Sequence, residues 1–272
     1  MKQMIELTNE QRNVLKNTQL ELLDEFKNFC DTHNLRFYLF GGTLLGAIRN
    51  NGFIPWDDDI DVCMPRDDYN KFLEFYKEND KYFLQSTQTD KYYFYHFVKL
   101  TKKNTVYDEF MTQHLKTKKG IFIDIFPING YPEKIISKFH YNFWLFLLNK
   151  KSYPLNFIKT KKIKRNCLYI LMTILSWVLL WWAPYHLCAK MRNNFMKRHQ
   201  YTKSNKVIVG TNLRKIYNRD FFVGITSIIF EGRIMYGMGD VTKYLTKMYG
   251  DYMELPPEAE RIPHHYLVDF KG

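Results

Sequence analysis

The sequence predicts an α+β protein: a mixed β-sheet flanked by helices and interrupted by an apolar helical insertion. Three observations carry that prediction. Residues 39–61 read as a strand end, a glycine corner, a short helix, a turn and an acidic strand in close succession. Aromatic-rich strand candidates alternate with segments whose apolar residues recur at the helical period. Finally, Asn166 to Ala189 contains no Asp, Glu, Lys or Arg, yet holds Trp177, Trp181 and Trp182. The expected division is a core over 1–133, a basic and apolar helical insertion over 134–205, and a C-terminal part, 206–272, that completes the core.

Taken in order, Thr8-x-x-Gln11 is a capping box that opens a helix with Leu15, Leu22, Phe26 and Phe29 on one face. This helix is expected to end near His33-Asn34 and to pack on the sheet, with Cys30 as packing and His33 at the surface. Arg36 to Phe40 is a strand candidate. It runs into Gly41-Gly42, where a backbone without Cβ lets a ligand approach closely. Thr43 to Arg49 reads as a short helix whose free N–H groups face the same place, an arrangement suited to phosphate. Asn51-Gly52 turns the chain, and Asp57-Asp58-Asp59-Ile60-Asp61 leads into a strand through Val62 and Cys63.

Alternate strand residues share a face, which puts Asp59 and Asp61 together with Cα atoms roughly 7 Å apart. Two carboxylates at that spacing suit a hard divalent cation, Mg²⁺ first and Mn²⁺ second, that also takes phosphate oxygens. Asp57, in register with both, adds a ligand or positions Arg49. A solvated acidic turn is the bland alternative. It has no use for a Gly-Gly strand end upstream, or for Ile60 and Val62 between and after the acids.

Pro65 stops the acidic strand, and Arg66 opens a helix with Tyr69, Phe72, Leu73 and Tyr76 at helical spacing. Asp67 and Asp68 sit in its first turn, where the helix dipole favours negative charge, so they read as structural. Arg66 faces either a substrate phosphate or solvent. Tyr82 to Ser86 and Tyr92 to Leu100 are aromatic strand candidates; His96 reads as a packed core histidine and Lys99 as a snorkelling edge lysine. Lys116 to Lys119 read as an exposed basic loop. Gly120 to Ile125 is a buried type of strand, apolar except for Asp124, and a carboxylate there needs a cation or donors. Phe126-Pro127 is expected to end it.

The insertion begins near residue 134. Phe139 to Leu148 is aromatic and apolar, and Lys150, Lys151, Lys159, Lys161, Lys162, Lys164 and Arg165 follow. The charge-free segment has three readings. A transmembrane helix needs about 20 apolar residues, which are present, but Pro184 and basic flanks on both sides argue against it. A buried helix pair ranks second. First is a helical insertion lying in the membrane surface, with tryptophans at headgroup depth and lysines on anionic lipid. Beyond it, residues 206–210 and Ile225 to Phe230 are strand candidates that return to the core, and Gly237-Met238-Gly239 reads as a loop. Asp240 and Gly250 cap a helix over Val241 to Tyr249. Asp251 to Arg261 is an ordered loop held by Pro256-Pro257, and His264-His265 is not by itself a metal site.

Gly41-Gly42-Thr43-Leu44-Leu45-Gly46-Ala47-Ile48-Arg49, followed by Gly52-Phe53-Ile54-Pro55-Trp56-Asp57-Asp58-Asp59-Ile60-Asp61, resembles the LicD family of phosphocholine transferases. Fukutin-type ribitol-phosphate transferases are among the relatives of that family. The likeness resumes at Ile123-Asp124-Ile125-Phe126-Pro127, at Tyr249-Gly250-Asp251-Tyr252-Met253 and at Leu255-Pro256-Pro257, so it touches both ends of the chain. The resemblance implies a nucleotidyltransferase-like core of the polymerase-beta type. It also implies a CDP-linked donor, a third carboxylate at Asp124, and a tail folded over the donor site; on residues alone, a packed terminal loop is equally acceptable.

Composition bounds the partners. The chain has 272 residues, a net charge of +12 and 17% aromatic side chains. It can bury a sizeable core, and it calls for an anionic partner. The basic residues gather beside the apolar insertion rather than on an aromatic sheet, which favours lipid over nucleic acid. Cys30, Cys63, Cys167 and Cys188 lie far apart, which indicates neither zinc nor a disulfide framework and fits a reducing compartment. Glu6, Glu10 and Arg12 without an apolar run indicate no secretory signal. The expectation is an enzyme on the cytoplasmic face of the cell membrane. With Mg²⁺ it moves phosphocholine from CDP-choline to a sugar hydroxyl of a lipid-linked glycan precursor of teichoic acid or lipopolysaccharide, releasing CMP. Gly41, Gly42, Thr43, Arg49 and Trp56 hold the donor; Asp59, Asp61 and Asp124 act on it, with Asp57 as a further ligand. The rival enzyme reading is the same core moving ribitol phosphate, glycerol phosphate or phosphoethanolamine. A non-enzymatic nucleic-acid- or membrane-binding protein is the rival of another class.

Overall fold

The computed structural model describes residues 4–110, 112–153, 167–213, 215–263 and 265–272. Lys159, Lys161, Lys162, Lys164 and Arg165 of the basic stretch, and His264, lie outside them. Helix α1 (Asn9–Thr32) starts at the expected capping box, in which Thr8 Oγ1 accepts from the Gln11 N–H and Gln11 Oε1 accepts from the Thr8 N–H. Leu15, Leu22, Leu23, Phe26 and Cys30 bury its inner face, and His33 stacks on Phe29 at the exposed end.

A seven-stranded mixed sheet forms the core. Strands β1 (Tyr38–Leu39), β2 (Asp61–Pro65), β3 (Tyr82–Gln85), β4 (Val98–Lys102), β6 (Phe122–Tyr131), β7 (Lys206–Val209) and β8 (Ile216–Asn218) make it up. The order β1-β2-β6-β4-β3 places β2 and β6 side by side and parallel at the centre. Helix α2 (Gly41–Asn50) connects β1 to the acidic turn, and α3 (Arg66–Phe75) follows β2 directly. The fold is thus α+β, as the sequence predicts.

Several boundaries differ from the sequence reading. Strand β6 does not stop at Pro127 but runs ten residues, to Tyr131. Its free edge pairs with β4 up to Ile125 and with β7 from Ile128. Pro127 falls at the change of partner, where that edge has no antiparallel bond for the missing N–H to supply. The aromatic run from Tyr92 to Phe97 precedes β4 rather than extending it. The presumed glycine loop holds strand β10 (Arg233–Met238), which pairs with β9 (Ile225–Phe230) as a separate hairpin. Glu231 and Gly232 join the two strands with φ of 48° and 74°, the paired positive values of a type I′ turn. The Glu231 carboxylate accepts from the Phe53 N–H, so the hairpin tip clamps the turn that leads into the acidic segment. Strand β5 (Val106–Glu109) pairs with β11 (Leu267–Lys271), which brings the chain's end beside the sheet.

Helices α4 (Ile135–Ser152), α5 (Cys167–Leu179) and α6 (Tyr185–Met196) build a second apolar cluster around Tyr141, Leu145, Leu148, Cys188 and Met196. Tyr131 and Ile208, from the ends of β6 and β7, enter that cluster and join it to the sheet. Among the described residues no helix is long and apolar enough to cross a membrane. The helices nevertheless leave Ile135, Ile136, Phe139, Leu171, Ile174, Val178, Trp181 and Trp182 exposed. Trp177 is different, since its ring lies under the Lys151 ammonium, 3.4 Å from the centroid. Helix α7 (Val241–Tyr249) is capped by the Asp240 side chain and by Gly250, as expected.

Candidate active site

Asp61 opens β2 and stands opposite Asp124 of β6 in the parallel register. The Asp124 N–H donates to the Ile60 carbonyl, and Thr43 Oγ1 accepts from the Asp61 N–H at 2.8 Å. Helix α2, through Thr43, thereby fixes the start of the acidic strand. Gly41 sits at φ +56°, and a Cβ there would come 3.0 Å from Asp61 Oδ2. A Cβ on Gly42 would come 2.5 Å from Asp57 Oδ2. The glycine corner therefore faces the carboxylates directly, and side chains at either position would fill the space between them.

Electrostatics ties the acids together. Burial, followed by the neighbouring carboxylates, pushes Asp59 up to about 7 and Asp61 well above the usual carboxylate range. Burial raises Asp124 to about 6, against the pull of the Lys99 ammonium. Asp124 Oδ1 accepts no hydrogen bond among the described residues; its nearest cation, Lys99 Nζ, is 3.9 Å away. A buried carboxylate oxygen without a hydrogen bond, beside two further acids and a glycine corner, is a setting that a divalent cation would suit. Asp61 and Asp124 are the pair that the parallel register sets side by side, but among the described residues Asp59, Asp61 and Asp124 do not close into a set with ligand atoms within 4.8 Å of one another.

Lys99 is not the edge lysine that the sequence suggests. It is buried, its ammonium lies 3.2 Å from Glu109 and 3.2 Å above the centre of the Phe122 ring, and its register partner is Asp124. His265 also proves to belong here. Its Nδ1 lies 3.0 Å from Asp58 Oδ1 and 4.0 Å from Asp59 Oδ2, and its backbone N–H donates to Asp58. Asp58, Asp59 and His265 keep their ligand atoms within 4.8 Å of one another, tightly enough for a metal. The imidazole argues otherwise. Although burial opposes its charge, the carboxylates of Asp58, Glu109 and Asp59 raise it to about 10, which favours the imidazolium, a form with no lone pair to offer. Lys99 and His265 thus act as counter-charges to an acidic cluster.

Gly42, Arg49, Trp56 and Asp57 line a cavity of about 550 Å³ whose opposite wall is Tyr249, Tyr252 and the loop through Pro256-Pro257. Arg49 Nη1 donates to the Glu254 carbonyl, and the Arg261 guanidinium lies over Trp56, 5.6 Å from its ring centroid. The C-terminal loop therefore does close over the glycine corner. His96 is half-buried, with its ring against Phe97 and Phe126. Arg66 is only 5% exposed and follows the far end of β2, away from Asp61, so the solvent reading fails.

Residues 34–169 match the family model described as LicD/FKTN/FKRP, nucleotidyltransferase domain. Over 259 residues the chain is 32% identical to the lipopolysaccharide cholinephosphotransferase LicD of Haemophilus influenzae, covering 90% of this chain and 92% of that one. The chain belongs to the LicD family. Shorter stretches of the chain are similar to other proteins. An uncharacterized protein of Rickettsia prowazekii is 33% identical over 72 residues, 24% of this chain and 27% of its own. Another, from Caenorhabditis elegans, is 41% identical over 66 residues, 22% and 17% of the two chains. As a LicD-family member the chain is an enzyme of the transferase class.

Proposed function

We propose that this LicD-family enzyme transfers phosphocholine from CDP-choline to a sugar hydroxyl of a lipid-linked cell-surface glycan precursor, releasing CMP. The observation that carries the reading is the pairing of Asp61 with Asp124 on adjacent parallel strands, directly below the Gly41-Gly42 corner. The full-length likeness to a lipopolysaccharide cholinephosphotransferase supports both the transferred group and a lipopolysaccharide-type acceptor. The same core of polymerase-beta type is the framework proposed for the sheet.

In this mechanism the corner and the first N–H groups of α2 bind the donor diphosphate, and Thr43 keeps Asp61 beside it. Asp59, Asp61 and Asp124 would hold Mg²⁺ or Mn²⁺, with Asp57 at hand for the same ion. When bound, such an ion neutralises charge on the phosphoryl oxygens. Arg49 and Trp56 receive the nucleotide end of the donor in the cavity under the C-terminal loop. The acceptor hydroxyl attacks phosphorus in line as the bond to CMP breaks, and its proton passes to Asp124. Lys99 and His265 keep the acidic cluster from repelling the incoming diphosphate.

The exposed apolar residues of α4 and α5, with Trp181 and Trp182, support a surface-lying insertion over residues 134–205 on the cytoplasmic face of the membrane. The deciding experiment offers the purified enzyme, with Mg²⁺, CDP-choline, CDP-ethanolamine, CDP-glycerol and CDP-ribitol, and follows CMP release with a glycan acceptor. Turnover with CDP-choline alone supports the proposal. Preference for another donor replaces the transferred group, and no CMP from any donor removes the mechanism.

A further inference from the structure

A second polar cleft, of about 250 Å³, lies between α3, α6 and the segment leading into β4, lined by Arg66, Thr87, His96, Lys190, Asn193 and Lys197 among others. It is not part of the donor site: Arg66 follows the far end of β2, roughly 16 Å from Asp61 at a strand's rise per residue. Among the described residues no carboxylate lines it. Arg66 is almost fully buried, stacks on Tyr69 and donates through Nε to Asn129 Oδ1 at 2.7 Å, but it makes no ion pair among the described residues. His96 is partly exposed, but both of its ring nitrogens are shut off from solvent and have no hydrogen-bond partner among the described residues.

A guanidinium out of water without a counter-ion is costly, and so is an imidazole with both nitrogens buried and orphaned. Lys190 of α6 and Lys197, which caps its end, line the same cleft and add to the excess positive charge. Burial and the nearby Arg66 both depress the Lys197 ammonium, which shows the two cations close enough to repel. Such a set is stable only with a compact anion among it. The planar guanidinium, a ring N–H, an amide and two ammonium groups are donors matched to tetrahedral oxygens.

We propose that this cleft binds a phosphate group, held by Arg66, His96, Lys190 and Lys197. Two sources carry that chemistry: a phosphorylated sugar or free phosphate in solution, and the headgroup of an anionic phospholipid. The proposal does not depend on which group the LicD-type site transfers.

The test uses the full chain with ring-¹⁵N-labelled histidine, without divalent cations and at neutral pH. The His96 resonances are assigned by loss in His96→Gln. One arm adds sodium phosphate against sodium chloride of equal ionic strength; the other adds phosphatidylglycerol–phosphatidylcholine vesicles against pure phosphatidylcholine. Saturable movement of the His96 signals is expected, and in the doubly substituted Lys190→Gln/Lys197→Gln protein it should need about tenfold more anion. Lys190 is exposed and Lys197 half-buried, so this pair is a gentler change to the fold than Arg66→Gln. Movement with phosphate only assigns a soluble phosphate, and movement with anionic vesicles assigns a headgroup. His96 signals unmoved in both arms, or moving equally in wild type and the double variant, would overturn the site.

Discussion

Asp61 and Asp124 face each other across the central parallel pair of strands, and the bare corner at Gly41 leaves Asp61 open on its other side. Both side chains are held above the ordinary carboxylate range by burial. A carboxylate whose pKa is raised by folding stabilises the native state only while protonated. Its contribution is full below the unfolded value near 4 and disappears as pH rises through the folded value. Without metal, then, Asp61→Asn should melt higher than wild type at about pH 8, with the gap closing toward about pH 5. The same substitution, and Asp59→Asn, should abolish CMP release. Thermal unfolding across pH with a chelator present measures the first effect. An unchanged gap across that range would mean the acids are solvated.

Gly42→Ala should lose most activity, because its methyl would sit 2.5 Å from Asp57 Oδ2 in the space assigned to the donor. Crowding of this kind destabilises by about 1–3 kcal/mol. The decisive readout is the Michaelis constant for the donor, which should rise more than stability falls. Unaltered donor kinetics would place the diphosphate elsewhere.

Lys99→Met should be strongly destabilising at neutral pH. It leaves Glu109 and Asp124 buried without their shared cation, and breaking such a pair costs about 3–5 kcal/mol. Chemical denaturation measures it. A loss below about 1 kcal/mol would show that the pair is effectively solvated.

Membrane attachment should depend on Trp181 and Trp182 more than on Trp177, since the first two are exposed and the third packs under Lys151. Trp181→Ser/Trp182→Ser should free the protein from anionic vesicles in sedimentation, whereas Trp177→Phe should not. Equal retention of all variants would dismiss the surface-lying insertion.

Local chemistry made part of this site legible. The capping box at Thr8, the glycine corner, the acid spacing and the lone charge of Asp124 in an apolar strand each announce themselves within a few residues. Lys99 and His265 do not. Lys99 becomes a counter-charge only because β4 pairs with β6 in a register that sets it opposite Asp124, and His265 arrives from more than two hundred residues away in sequence. The length of β6 was hidden for a related reason: a proline ends a strand only where its N–H is needed, and the change of partner was invisible without the sheet. Strand β10 escaped because its glycines resemble a loop until β9 supplies the other half of the hairpin.

The uninterrupted run of β6 gives the molecule a fixed reach. Asp124 near its start and Tyr131 at its end ride on one rod, and Tyr131 packs into the helical cluster whose connecting turn carries the exposed tryptophans. Seven residues of extended chain separate them by roughly 23 Å. If the proposed transfer takes place while those helices rest on a surface, the rod holds the acidic pair at a set distance from it, and acceptors would be sorted by height as well as by chemistry.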